Sequence, residues 1–188
     1  MRHTLAVLVE NHFGVLARVA GLFSRRGFNI ESLAVGPTED PTISRMTIIV
    51  EGDVRMRDQM VNQMNKLIDV ISVQALAPEA TVGRELALIK VRANPRNRSE
   101  IVQIVDVFRG QVVDVGKESL MIELTGDESK VGALLEVLAE YGVLEVARTG
   151  AVALARGTSG VAGEGAGGAG ADTPATGSGP GDMGDSYA

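Results

Sequence analysis

Leu8–Arg45 reads LVENHFGVLARVAGLFSRRGFNIESLAVGPTEDPTISR, and the order of its patterns decides the fold. An apolar strand runs into Asn11-His12-Phe13-Gly14. Leu16, Val19, Ala20 and Phe23 then recur at helical spacing, and a second strand opens with Phe28-Asn29-Ile30. Glycine at a strand-to-helix handover lets backbone N–H groups approach an anion closely, and the helix N-terminus adds favourable partial charge. Such a loop suits a carboxylate. Beyond His12 it carries no nucleophile, general base or metal ligand. The same residues also allow a plainer reading, in which Asn11 caps the helix and Gly14 eases the turn.

Working outward, the pattern completes itself and then repeats. His3–Glu10 alternates as a strand, Val15–Gly27 is the first helix, and Phe28–Val35 and Ile43–Glu51 are strands joined by a Pro- and Asp-containing turn. A helix over about Val54–Leu67 and a strand over Val70–Leu76 close a βαββαβ unit. The second pass comprises a strand at Glu85–Ala93, a helix at Ser99–Arg109, strands at Gln111–Val115 and Ser119–Thr125, a helix at Ser129–Tyr141 and a final strand at Leu144–Leu154. The reading is therefore α+β, with two tandem ferredoxin-like βαββαβ domains at 1–77 and 84–157 and a linker at 78–83. Residues 158–188 are rich in Gly, Ala, Ser and Pro with almost no large apolar side chain, the composition of a disordered tail.

Right-handed crossovers turn each copy into a split βαβ sheet of strand order 4-1-3-2, with both helices on one face. The opposite face is left free of helices and strand 2 becomes an edge. An unpaired edge of this kind invites pairing with a second copy, so a homodimer through strand 2 is expected.

Composition narrows the function. Hydrophobic residues make up 45% of the chain but aromatics only 3%, so the cores are aliphatic and bases would find few rings to stack on. A net charge of −6 gives no attraction to a nucleic-acid backbone. The absence of cysteine removes disulfides and thiolate chemistry, and two histidines cannot build a multi-histidine metal centre in one subunit. No apolar run approaches the ~20 residues that span a bilayer. The expectation is a soluble, cytoplasmic protein with no nucleic-acid or membrane partner. Arg25-Arg26 suits a solvated helix end. The methionines at 46, 56, 60 and 64 suit aliphatic gap-filling, and the ANPRNRSE stretch around Arg96 and Arg98 lacks the glycines of a phosphate cradle.

The run VLVENHFGVLARVAGLFSRRGFNIESLAVGPTEDPTISRMTI, with QMNKLIDVISV, ELALIKV, Val107-Phe108-Arg109-Gly110, QVVDV and VLEVARTGAVALARG, closely resembles the regulatory small subunits of acetolactate (acetohydroxyacid) synthase. The likeness covers about Met1–Gly157 and stops at the tail. It implies an N-terminal ACT domain that binds an end-product amino acid and a C-terminal ACT-like domain. It also implies a homodimer that activates a separate catalytic large subunit and confers feedback inhibition by valine or another branched-chain amino acid. Such a chain has no catalytic residues and no cofactor of its own, since thiamine diphosphate, magnesium and FAD belong to the large subunit. The family's effector positions map onto Asn11, Gly14 and Asn29, with neighbouring backbone at Val15, Leu16 and Ile30.

Chain direction places Asn11–Gly14 at one end of the sheet and Asn29 at the other. Antiparallel pairing of two strand-2 edges inverts the partner and brings its Asn29 to the first loop. Helix-start N–H groups would then take a carboxylate, the amide oxygen of Asn11 or Asn29 an ammonium group, and aliphatic walls the side chain. Two other readings use the same architecture. One is a free-standing tandem-ACT amino-acid sensor acting on another enzyme or on transcription. The other is a small acyl-phosphate hydrolase, for which the ENHFG loop lacks the arginine and glycine cradle.

Overall fold

A computed structural model describes residues 1–158. The reading of 158–188 as a disordered tail lies, from residue 159 on, outside the described residues. The first unit runs β1 (Arg2–Glu10), α1 (Val15–Arg25), β2 (Ile30–Pro37), β3 (Ile43–Glu51), α2 (Val54–Met64) and β4 (Val70–Leu76). Its antiparallel sheet has the order β2-β3-β1-β4, the order expected from the crossovers. The alternation of β1 turns Leu5, Val7 and Val9 toward the helices, where Val15, Val19 and Phe23 of α1 and Met60 and Met64 of α2 meet them, all essentially without solvent contact. Gly27, at φ 70°, ends the first helix in the left-handed conformation that glycine adopts without steric cost. Asp53 starts the second helix by accepting from the Met56 N–H at 2.7 Å.

The second unit runs β5 (Thr81–Arg92), α3 (Arg98–Val107), β6 (Gln111–Val115), β7 (Ser119–Gly126), α4 (Glu128–Leu138), β8 (Val143–Arg148) and β9 (Val152–Ala155). Its sheet has the order β6-β7-β5-β8, and β9 pairs with the first residues of β5. A separate aliphatic core, centred on Ile89, Ile101, Leu120, Ile122 and Leu134, lies between this sheet and its two helices.

Two sequence boundaries are corrected. Residues 78–83 are no free linker: Pro78–Ala80 is a single 3-10 turn, and Thr81–Gly83 open β5 against Ala155–Ala153 of β9. The expected final strand Leu144–Leu154 is two strands, broken at Thr149-Gly150-Ala151 with Gly150 at φ 76°. The break has a tertiary cause. It lets β9 pair with the start of β5 while crossing the helix-free face of the first sheet, where Ala153 is buried with Ala6 and Leu76 beside Leu8 and Ala155. Arg45 of β3 is half-buried by this strand, donates to the Ala153 carbonyl at 2.8 Å, and has its pKa lowered by that burial. The face is free of helices, as expected, but is partly covered by a strand of the chain's own second unit. Strand β2 remains an edge of its sheet, with Val35 exposed.

Candidate functional site

The handover after β1 is stitched to the β2–β3 turn. The Asn11 N–H donates to the Thr42 carbonyl at 2.7 Å, and its side-chain Nδ2 donates to the Pro41 carbonyl at 2.8 Å. Of the plainer sequence reading, the Asn11 cap is therefore not formed, whereas Gly14 does ease the turn. Gly14 holds the N-cap position at φ 90° and offers no side-chain acceptor. Among the four described helices only α1 lacks both a capping side chain and an acidic residue in its first turn. Its first N–H groups therefore have no side-chain partner, and the dipole there is not neutralised. The Asn11 amide, oriented by donating through Nδ2, presents its Oδ1 as an acceptor.

Three side chains without a role in the sequence reading, Glu10, Arg18 and Asp69, stand around His12 of this loop. Asp69, only 5% exposed at the entry to β4, lies 2.9 Å from Nε of Arg18 and 3.1 Å from Nε2 of His12. The His12 ring also contacts Glu10 at 3.2 Å, and its Nδ1–H donates to the Phe13 carbonyl at 3.1 Å. His12 is held above its ordinary pKa, first by that backbone bond and then by the facing carboxylates of Asp69 and Glu10. Glu10, His12 and Asp69 bring potential ligand atoms within 4.8 Å of one another, but the Arg18 guanidinium already supplies the positive charge that a cation would bring. Arg18 stands one helical turn after Gly14, a spacing visible in sequence. Asp69 gave no local signal, because its role comes from a contact across the fold.

The six sequence candidates divide into two groups. Asn11, Gly14, Val15 and Leu16 lie together at the end of the sheet where Glu10 pairs with Ile43 and Pro37 with Ser44. The Val15 side chain is in the core, so it can offer only backbone, whereas Leu16 is 45% exposed. Asn29 and Ile30 lie at the opposite end, where Ile30 pairs with Val50. At ~3.3 Å per residue along a strand the two groups are roughly 25 Å apart within one protomer. Asn29 is exposed, and Ile30 packs partly against the first core.

Two βαββαβ units in tandem, the first with an uncapped glycine helix start, define a tandem ACT-type protein. Residues 5–72 match the AHAS small subunit-like ACT domain, and residues 84–157 match the small subunit of acetolactate synthase. The "Probable acetolactate synthase small subunit" of Archaeoglobus fulgidus is 57% identical over 157 residues, spanning 84% of this chain and 98% of that protein. The acetolactate synthase small subunit of Mycobacterium leprae is 55% identical over 159 residues, spanning 85% of this chain and 94% of that one. The crystal structure of the acetolactate synthase small subunit from Thermotoga maritima superposes with a TM-score of 0.79 at 45% identity, covering 85% of this chain and 99% of that one. The chain belongs to the acetolactate synthase small-subunit family.

Proposed function

We propose that this chain activates a separate catalytic acetolactate synthase subunit and makes that subunit inhibitable by valine or a related branched-chain amino acid. The observation that carries the reading is the open start of α1. Its unpartnered N–H groups suit a carboxylate, Asn11 Oδ1 beside them suits an ammonium group, and the exposed Leu16 supplies aliphatic surface. The second amide, Asn29, comes from another copy: antiparallel pairing along β2 inverts the partner and carries its Asn29–Ile30 to the first protomer's Gly14. The effector thus sits at a homodimer interface. This chain performs no chemistry of its own, and thiamine diphosphate, magnesium and FAD reside on the catalytic subunit.

Titrating the purified chain with valine, leucine and isoleucine by calorimetry, then adding it to the catalytic subunit and assaying acetolactate formation, tests the proposal. Saturable binding of at least one of the three, with a rise in activity that this amino acid reverses, is the expected result. Absence of binding, or no change in catalytic activity, would sink it. A free-standing sensor would bind the amino acid and leave the catalytic subunit unaffected.

A further inference from the structure

Strand β2 has two sets of neighbours. Its first residues, with Asn29, belong to the proposed effector site, while the residues that follow are seated on the second unit. Between them the β2–β3 register shifts at Glu31, a bulge between Ile30 and Ser32. Glu31 accepts from Nε of Arg2 at 2.8 Å, and the same guanidinium, through Nη1, reaches Glu128 at the start of α4 in the second unit. Glu128 stands 4.0 Å from Arg148 at the end of β8, and Arg148 is tied to the buried Glu85 of β5, with Nε donating at 3.1 Å. One residue past the bulge, Ser32 Oγ accepts from the Ala151 N–H at 3.3 Å. A Cβ on Gly150 would lie 2.6 Å from that Oγ and 3.4 Å from the Leu33 carbonyl oxygen. The β8–β9 turn therefore rests on β2 so closely that a side chain at position 150 would have to displace the Ser32 hydroxyl. These groups line a cleft of about 470 Å³ between the units.

We propose that β2 is the relay between the effector and the second domain: occupancy of Asn29–Ile30 shifts the Glu31 bulge, and the Arg2–Glu128 bridge and the seat of Gly150 on Ser32 pass that shift to β8 and β9. The inference rests on the effector reading above. The contiguous contacts from Glu31 through Arg2 to Glu128, and from Ser32 to Gly150 and Ala151, supply the relay's physical path. Linkage also makes the coupling reciprocal, so disturbing the seat must be felt at the start of β2.

Hydrogen exchange on the full chain, with and without valine, reads the relay, and calorimetry with valine runs in parallel. In the unsubstituted chain valine is expected to alter exchange at residues 143–155 as well as at 11–16. In Arg2→Met and Glu128→Gln, both at partly exposed positions, and in Gly150→Ala, valine should bind with a Kd within about threefold of the original. The response at 143–155 should fall by about fivefold or more. Valine binding without any response at 143–155 in the unsubstituted chain, or an undiminished response in Arg2→Met and Glu128→Gln, would overturn the relay. Failure of valine to bind the unsubstituted chain would instead count against the effector reading. The relay is then judged on the ligand-free protein: Gly150→Ala, or Arg2→Met should the glycine variant not fold, must change exchange at Asn29 and Ile30, and no change there overturns it.

Discussion

Gly14 combines two demands in one residue. Its φ of 90° is a conformation that costs an L-residue roughly 1–2 kcal/mol, and its place at the helix start brings any side chain to the open N–H groups. A Cβ there meets nothing closer than Nη2 of Arg18 at 3.9 Å, so space alone does not require glycine. Gly14→Asp should therefore fold with a modest loss of stability. Its carboxylate would occupy the helix start itself, lowering valine affinity by about tenfold or more, which corresponds to about 1.4 kcal/mol. Unchanged inhibition of the reconstituted enzyme would remove Gly14 from the site. His12 yields a prediction of opposite sign. Because its folded pKa lies above the ordinary 6.5, the ring is charged at the acidic end of the physiological range and adds positive potential beside the loop. Affinity for a carboxylate ligand should be greatest below that value and decline as pH rises through the folded pKa. The stabilisation from the charged ring, full below 6.5, should be lost over the same rise. Valine titrations from about pH 6 to pH 8 should show this slope, and His12→Gln should flatten it.

Among the elements, strands β3 and β4 emerge at Ile43–Glu51 and Val70–Leu76, as the sequence predicts, because each is a β-branched, aliphatic run bounded by Pro, Asp or Gly. The end of the second unit was not legible in this way. LEVARTGAVAL, residues 144–154, reads as one strand, and the break at Gly150 sits against Ser32, well over a hundred residues earlier in the chain. Local pattern carries no trace of such a contact. The candidate site shows the same division: Asn11 and Gly14 announce themselves beside a strand-to-helix turn, whereas Asp69 gains its role only when β4 is laid beside β1. The β2 edge also carries a test. Val35 is 45% exposed on that edge, and a lysine there would face its own copy across a self-paired strand. Val35→Lys should raise the dimer dissociation constant by about tenfold, read by analytical ultracentrifugation, and should weaken valine binding in step if Asn29 is supplied by the partner. A Val35→Lys dimer as tight as the original would exclude the β2 edge as the interface.

The two units are joined more closely than a tandem of independent domains requires. β5 begins inside what sequence presents as a linker, and β9 returns from the second unit to cover Ala6, Leu8 and Leu76 on the first sheet. Cutting the chain after Leu76 removes that cover and the acceptor for Arg45, so the fragment Met1–Leu76 exposes apolar surface that is buried in the full chain. Its βαββαβ core, built around Leu5, Phe23, Ile48 and Met60, remains complete. The fragment should therefore fold with a lower denaturation midpoint than the first unit has in the full chain, bind an apolar dye, and still bind valine because Asn11, Gly14 and Asn29 are all retained. What it should lose is transmission: without Glu128, Arg148 and Gly150 the bulge at Glu31 has nothing to push against. Reconstituting the catalytic subunit with the fragment is expected to give reduced activation and weakened inhibition despite bound valine. Full activation and full inhibition by Met1–Leu76 alone would place both functions in the first unit and leave the second a structural companion.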